Sequence, residues 1–254
     1  FQVIILFPFA KWIVKLTYLF VPDKAVREKQ EGFQLEYIGP VSVFSPNTAV
    51  VEVTKELERM GHIAVENLTD AVNVLMKPED KGIQKVYETE KQINYMNHAI
   101  TDYLVKISQS TLPMDDMKNI GGLFHVVNDI ERIGDHAENA ADSAVLRKEK
   151  NISFSKEAEA ELLEMLHRVI KITNYSIDMF SNNSKEHLQE ILDLENGIDQ
   201  MERDLQEAHV ERLKKGKCKQ EAGMIFSDII SGLERVADHA TKIAFSILDE
   251  EPEE

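Results

Sequence analysis

Ile130-Glu131-Arg132-Ile133-Gly134-Asp135-His136-Ala137 returns 103 residues later as Leu233-Glu234-Arg235-Val236-Ala237-Asp238-His239-Ala240. Five of the eight positions are identical, and the other three exchange residues of one type. A duplication at a fixed offset decides the fold before any single element is assigned, because both copies must build the same local structure.

Working outward from these blocks, apolar residues recur at intervals of three and four, the period of a helix with one buried face. Leu57, Met60, Ala64, Leu68, Ala71 and Leu75 form a first stripe, closed by Lys77-Pro78, where proline cannot continue the hydrogen-bond ladder. Val86, Ile93, Ile100, Leu104 and Ile107 form a second, ending near Thr111-Leu112-Pro113, and Ile120 to Leu146 supply a third. After a turn at Arg147 to Asn151 the order repeats over Leu162 to Phe180, Leu188 to Leu213 and Met224 to Leu248. The spacing predicts an all-α protein of two pseudo-symmetric three-helix bundles that share one core.

Upstream the pattern changes. Residues 1–22 begin FQVIILFPFAKWIVKLTYLFV, a stretch about long enough to cross a hydrocarbon layer as a helix. Lys11 and Lys15, with Trp12 and Tyr18 beside them, equally suit a helix lying in the headgroup region. The segment lacks an initiator Met and a small-residue cleavage site, so it does not resemble a signal peptide and reads as the continuation of a larger protein. Lys24, Arg27 and Lys29 follow, a basic flank that normally stays on the cytoplasmic side. Gly32 to Pro46 carries glycine, proline and no helical period, as an extended connector with room for a short strand does. The expected organisation is therefore an apolar membrane-associated segment at 1–22, a connector at 23–46, a first bundle at 47–150 and a second at 151–254.

Charge narrows the function classes. With 45 acidic against 29 basic side chains the net charge is −16, which repels a phosphate backbone and leaves no place for nucleic acid as a partner. Cations are the natural ligands. Cys218 is the single cysteine, so neither an intramolecular disulfide nor a cysteine-based metal site can form.

Residues i and i+4 share a helix face, about 6 Å apart along the axis. Glu131 and Asp135 therefore point together, as do Glu234 and Asp238. The preceding helix of the second repeat adds Glu195 and Asp199, and the matching place in the first holds Glu90 and Asn94. Facing helices would gather these oxygens around one point in each bundle, where crowded carboxylates share protons or hold cations. One E-x-x-x-D on a charged helix is commonplace and usually solvated; its presence within a repeated block and on a neighbouring helix favours metal. Asn94 offers a neutral oxygen, so the second site is the stronger. Arg132 and Arg235 lie beside the acids and suit salt bridges or an anion equally. His136 and His239 follow the aspartates by one position and so face another direction. Glu138 and Asp142 read as solvated surface, and His62, His98 and His167 as ordinary helix residues.

The repeated L/I-E-R-I/V-G/A-D-H-A block resembles the signature of the PhoU family, and the resemblance runs from about Asn47 to Leu248. It implies two three-helix bundles carrying E(D)-x-x-x-D motifs for multinuclear iron or zinc clusters. Carried over, the metal ligands are Glu131, Asp135, Glu195, Asp199, Glu234 and Asp238, with Glu90 and Asn94 less securely matched. The apolar leader, its basic flank, Glu36-Tyr37-Ile38, Pro46 and Glu56-Leu57-Glu58-Arg59-Met60 are similar to the junction of bacterial sodium/phosphate cotransporters that carry such a domain.

These resemblances imply a regulatory domain at the cytoplasmic side of the cell membrane, controlling phosphate uptake and catalysing no reaction. Its expected partners are the membrane part of the same transporter, the lipid bilayer through the N-terminal segment, and a second copy of the chain. A di-metal carboxylate enzyme would require Glu-x-x-His on two helices, and the bundles offer Glu164-Met165-Leu166-His167 with no partner in the first repeat. A metal-free dimerisation scaffold is the remaining reading. It predicts that removing the acids leaves metal binding unchanged.

Overall fold

A computed structural model describes residues 32–39, 46–109 and 114–248. Among them are six helices and no strand: α1 (Pro46–Met76), α2 (Asp80–Ser108), α3 (Met114–Glu149), α4 (Lys156–Ser181), α5 (Leu188–Lys214) and α6 (Gln220–Phe245). The described residues from Leu35 onward form one compact unit. The apolar segment 1–22, the helix end at Thr111-Leu112-Pro113 and most of the connector lie outside the described residues. No helix among the described residues is long and apolar enough to cross a membrane.

Every residue of the first stripe is buried, from Leu57 to Leu75, as are Val86, Ile93, Ile100, Leu104 and Ile107 of the second. Burying such side chains is the main favourable term in folding, about 1.5–3 kcal/mol for each large aliphatic group. Helices α1, α2 and α3 pack on one another, and so do α4, α5 and α6. The two groups meet through α3 against α6 and α1 against α4. Each of those contacts pairs a helix with its own repeat counterpart, the arrangement a pseudo-twofold axis produces.

The ends of the helices follow from local chemistry. Helix α1 stops at Met76, two residues before Pro78, which has no N–H to donate. Three helices close with the same motif. Asn151 (φ 50°), Asn183 (φ 48°) and Gly216 (φ 64°) take the left-handed conformation, and the next residue's N–H returns to a carbonyl of the last turn: Ile152 to Arg147, Ser184 to Met179 and Lys217 to Arg212. Ser155 caps α4 by accepting from the Ala158 N–H at 3.2 Å, with Glu157 and Glu159 in the first turn complementing the helix dipole. Helix α3 runs through the turn expected at Arg147 and ends at Glu149, because Arg147 is itself a buried structural group. Its guanidinium donates to the Leu75 carbonyl at the end of α1 and stacks 4.0 Å from the Phe154 ring.

The connector is held by one carboxylate. Glu56 is fully buried on α1, and its Oε2 accepts from the backbone N–H groups of Glu36 and Tyr37, each at 2.8 Å. Its Oε1 takes the Arg59 guanidinium, which also reaches Glu36 at 3.3 Å. The strand allowed for in this connector is absent from the described residues 32–39: the N–H groups of Glu36 and Tyr37 go to a side chain instead of a neighbouring strand.

Candidate metal centre

Helices α5 and α6 carry the second acidic group. Carboxylate oxygens of Asp199, Glu234 and Asp238 lie within 4.8 Å of one another. Glu195 belongs to the same field: burial raises its pKa, and the charges of Asp199 and Asp238 push in the same direction. Glu234 is raised by burial first and then by Asp238, Asp199 and Glu202. Burial, and after it the neighbouring charges, make Glu195 and Glu234 hold protons more tightly than free carboxylates, the condition that a cation relieves.

The first acidic group lies between α2 and α3. Glu90 is buried, and burial pushes its carboxyl up to about 7, helped by the charges of Glu138, Asp135 and Glu131 and opposed by a hydrogen bond from the Asn94 amide. Glu131 is raised by burial and by Asp135, against the positive charges of Arg132, His98 and His239. Arg132 donates to Asp135 at 2.9 Å and comes within 3.9 Å of Glu131, so an internal cation already neutralises part of this group. The structure therefore brings Glu90 and Asn94 up to Glu131 and Asp135, as their spacing predicts, but turns the Asn94 amide onto Glu90.

Of two acids expected on a solvated surface, Asp142 is exposed and Glu138 is partly covered. Glu138 is half-buried and raised by burial and by Asp142 and Asp135, and Asp142 accepts from the Tyr87 hydroxyl at 2.6 Å. Their face of α3 continues under α2, so residues one and two turns beyond Asp135 remain in the same groove. Glu202 was missed on α5. Its signal was present in the spacing, since Glu195, Asp199 and Glu202 follow at four and three. His98 was also missed, being one of many histidines on charged faces.

An ion bound at about 2.1–2.4 Å sits between oxygens up to roughly 4.8 Å apart, which matches the Asp199, Glu234 and Asp238 triplet. All three donors are carboxylates, suited to hard cations. One turn beyond Asp238, Thr241 is buried with a hydroxyl that has no partner among the described residues. The residues fit a metal at the second site, and Arg132 makes the first less demanding of one.

The two histidines of the repeated block border the first acidic group, His239 acting on Glu131 and Asp135 on His136. His136 and His239 approach across the contact of α3 with α6, ring centroids 6.2 Å apart. His239 Nδ1 lies 2.9 Å from Asp129 Oδ1, whereas burial, then the charge of His239, lowers His136 to about 4.

The PhoU domain profile matches residues 57–144 and 162–247. Over 194 residues the chain is 26% identical to PhoU homolog 1 of Thermotoga maritima, a phosphate-specific transport system accessory protein, spanning 76% of this chain and 83% of that one. A homolog from Clostridium acetobutylicum is 23% identical over 200 residues, spanning 78% and 90%. The crystal structure of PhoU from Pseudomonas aeruginosa superposes with a TM-score of 0.73 at 25% identity, over 80% of this chain and 97% of that one. That of the phosphate transport system regulatory protein PhoU from Streptococcus pneumoniae gives 0.70 at 19% identity, over 80% and 95%, a likeness of fold. Two matched segments, one per repeat, place both acidic groups inside the same domain type: the chain belongs to the PhoU family.

Proposed function

We propose that the chain is a regulatory domain of phosphate uptake that binds metal ions on its acidic helix faces and acts by contact with a phosphate transporter. The observation that carries the metal reading is the convergence of Asp199, Glu234 and Asp238, with Glu195 beside them, on two adjacent helices. An all-oxygen donor set favours iron over zinc, because zinc prefers nitrogen and sulfur ligands. The test is metal content by elemental mass spectrometry on protein purified without a chelating tag. The parent is expected to carry at least about one equivalent of metal, and a variant with Glu195, Asp199, Glu234 and Asp238 changed to Ala to lose it. Equal metal in both would sink the reading for this site.

On this proposal the transporter is the sodium/phosphate type, with residues 1–22 resting in or crossing the bilayer and the helical unit on the cytoplasmic side. Its support is the sequence of the leader and its basic flank. A second reading makes the chain an accessory protein of a phosphate transport system, as the names of the relatives from Thermotoga maritima and Clostridium acetobutylicum state for those proteins. Trp12 is the only tryptophan, so its fluorescence reports on the leader alone. A blue shift on adding vesicles, with flotation of the full chain, supports the membrane-attached form; neither change supports the accessory form.

A further inference from the structure

The two repeats are related by an offset of 103 residues, and this relation breaks at one place that matters. Asp129 and His239 form a pair across the α3–α6 contact, Oδ1 to Nδ1 at 2.9 Å. The pseudo-twofold operation that exchanges the repeats turns Asp129 into Gly232 and His239 into His136. On one side of the axis a carboxylate meets an imidazole. On the other the carboxylate is missing, and the imidazole faces a glycine.

The space left by that missing side chain is open. A cavity of about 400 Å³ is lined by His136, Asn139 and Ser143 of α3, by Asp228, Gly232 and Arg235 of α6, and by Leu68 and Val72 of α1. That volume lies in the range of small-molecule sites. A Cβ added at Gly232 would stand 3.5 Å from His136 Nδ1, ordinary contact distance, so the backbone itself leaves room for a group beside the imidazole.

One cation and one acid line the cavity, Arg235 and Asp228, beside the neutral imidazole of His136. Arg132, the counterpart of Arg235, is tied to Asp135 and Glu131, whereas no ion pair holds Arg235 among the described residues. Arg235 lines the cavity, and its charge acts on His136 and on the neighbouring Glu234 carboxylate. Asp228 is the acid in the lining, and it lies seven residues from Arg235 on α6, about 10 Å along the axis. Asn139, one turn from His136 on α3, adds an amide donor.

We infer that this cavity is a binding site for a small oxyanion, whose charged oxygens take the place that the Asp129 carboxylate holds in the other repeat. Arg235 supplies the fixed positive charge and a planar pair of donors, His136 one ring N–H, and Asn139 its amide. Leu68 and Val72 form the apolar floor, while Asn139 and Arg235 are exposed at the rim. Glu195 and Asp199 lie on α5, which does not line the cavity, whereas Glu234 adjoins Arg235 on α6.

Isothermal titration of the full chain with inorganic phosphate, and in parallel with sulfate and with acetate, tests the inference before and after chelator dialysis. Binding is expected in both preparations. Gly232→Asp should supply the missing carboxylate internally and weaken binding by at least about tenfold, and Arg235→Ala should do the same by removing the charge. Circular dichroism and the melting temperature confirm that both variants fold. Glu195→Ala with Asp199→Ala, on a helix that does not line the cavity, should leave anion binding unchanged while affecting metal content. Acetate bound in place of phosphate, with the same loss in both variants, would keep the site and assign it to carboxylates. Phosphate bound equally well by Gly232→Asp would overturn the inference, as would failure of the parent to bind any of the three anions.

Discussion

Glu90 shows how one side chain links metal, proton and stability. Its carboxyl titrates near 7 in the folded protein without cations, against an ordinary value of 4.5. Between those values the folded state holds more protons than the unfolded one, so the contribution of Glu90 to stability falls as pH rises from about 4.5 to 7 and then levels off. Glu90→Gln mimics the protonated form. In chelator the variant should be more stable than the parent by about 1–3 kcal/mol at pH 8 and equal to it near pH 4. Urea melts at the two pH values measure the difference; one independent of pH would remove burial of the charge as its cause. Glu56 is the opposite case, a buried carboxylate with every partner in place. Glu56→Ala strands two backbone N–H groups and the Arg59 guanidinium, and should cost about 3 kcal/mol by thermal or chemical melting.

At the scale of helices, the close approach of α2 to α3 is set by Gly134. A Cβ there would lie 3.2 Å from both Cδ1 and Cγ2 of Ile93, tighter than ordinary contact. The second repeat has Ala237 at this position, so its pair of helices has already made room for the methyl group. Gly134→Ala gains helix propensity of about 1 kcal/mol but forces Ile93 aside at roughly 1–3 kcal/mol, for a net loss of about 1. Adding Ile93→Val, which removes Cδ1 and keeps Cγ2, should recover about half of that loss. A double-mutant cycle in chemical denaturation reads the coupling, and simple additivity of the two changes would show that the contact is not the cause.

At the scale of the whole molecule, α1, α3, α4 and α6 share one core while α2 and α5 each pack against two helices of their own bundle. Unfolding one bundle exposes the apolar faces of the other. Residues 35–254 should therefore melt in one calorimetric transition, with the van't Hoff and calorimetric enthalpies equal. Ile130→Ala, in the core of α3, should lower that transition as a unit without splitting it. Two separated transitions would show that the bundles are independent. Loading the metal should raise the transition temperature, and chelator should reverse the rise.

The sequence by itself determined the helices, their order and the duplication. A period of three and four with proline and asparagine at the breaks leaves no other element for these residues, and the letters of the repeated block fix which helices correspond. It also determined which acids share a face, since spacing along a helix sets the angle between side chains: Glu131 with Asp135, Glu195 with Asp199, Glu234 with Asp238. Spacing does not say which neighbour that face meets or how deeply it is covered. Only the packing of α2 over α3 drew Glu138 into the first acidic group and left the Asn94 amide on Glu90. Only the packing of α3 on α6 set His136 against His239 and opened a cavity where Gly232 replaces an aspartate. The periodicity of a chain is local, whereas burial, proton affinity and empty space belong to contacts between elements distant in sequence, which exist only once the helices have found one another.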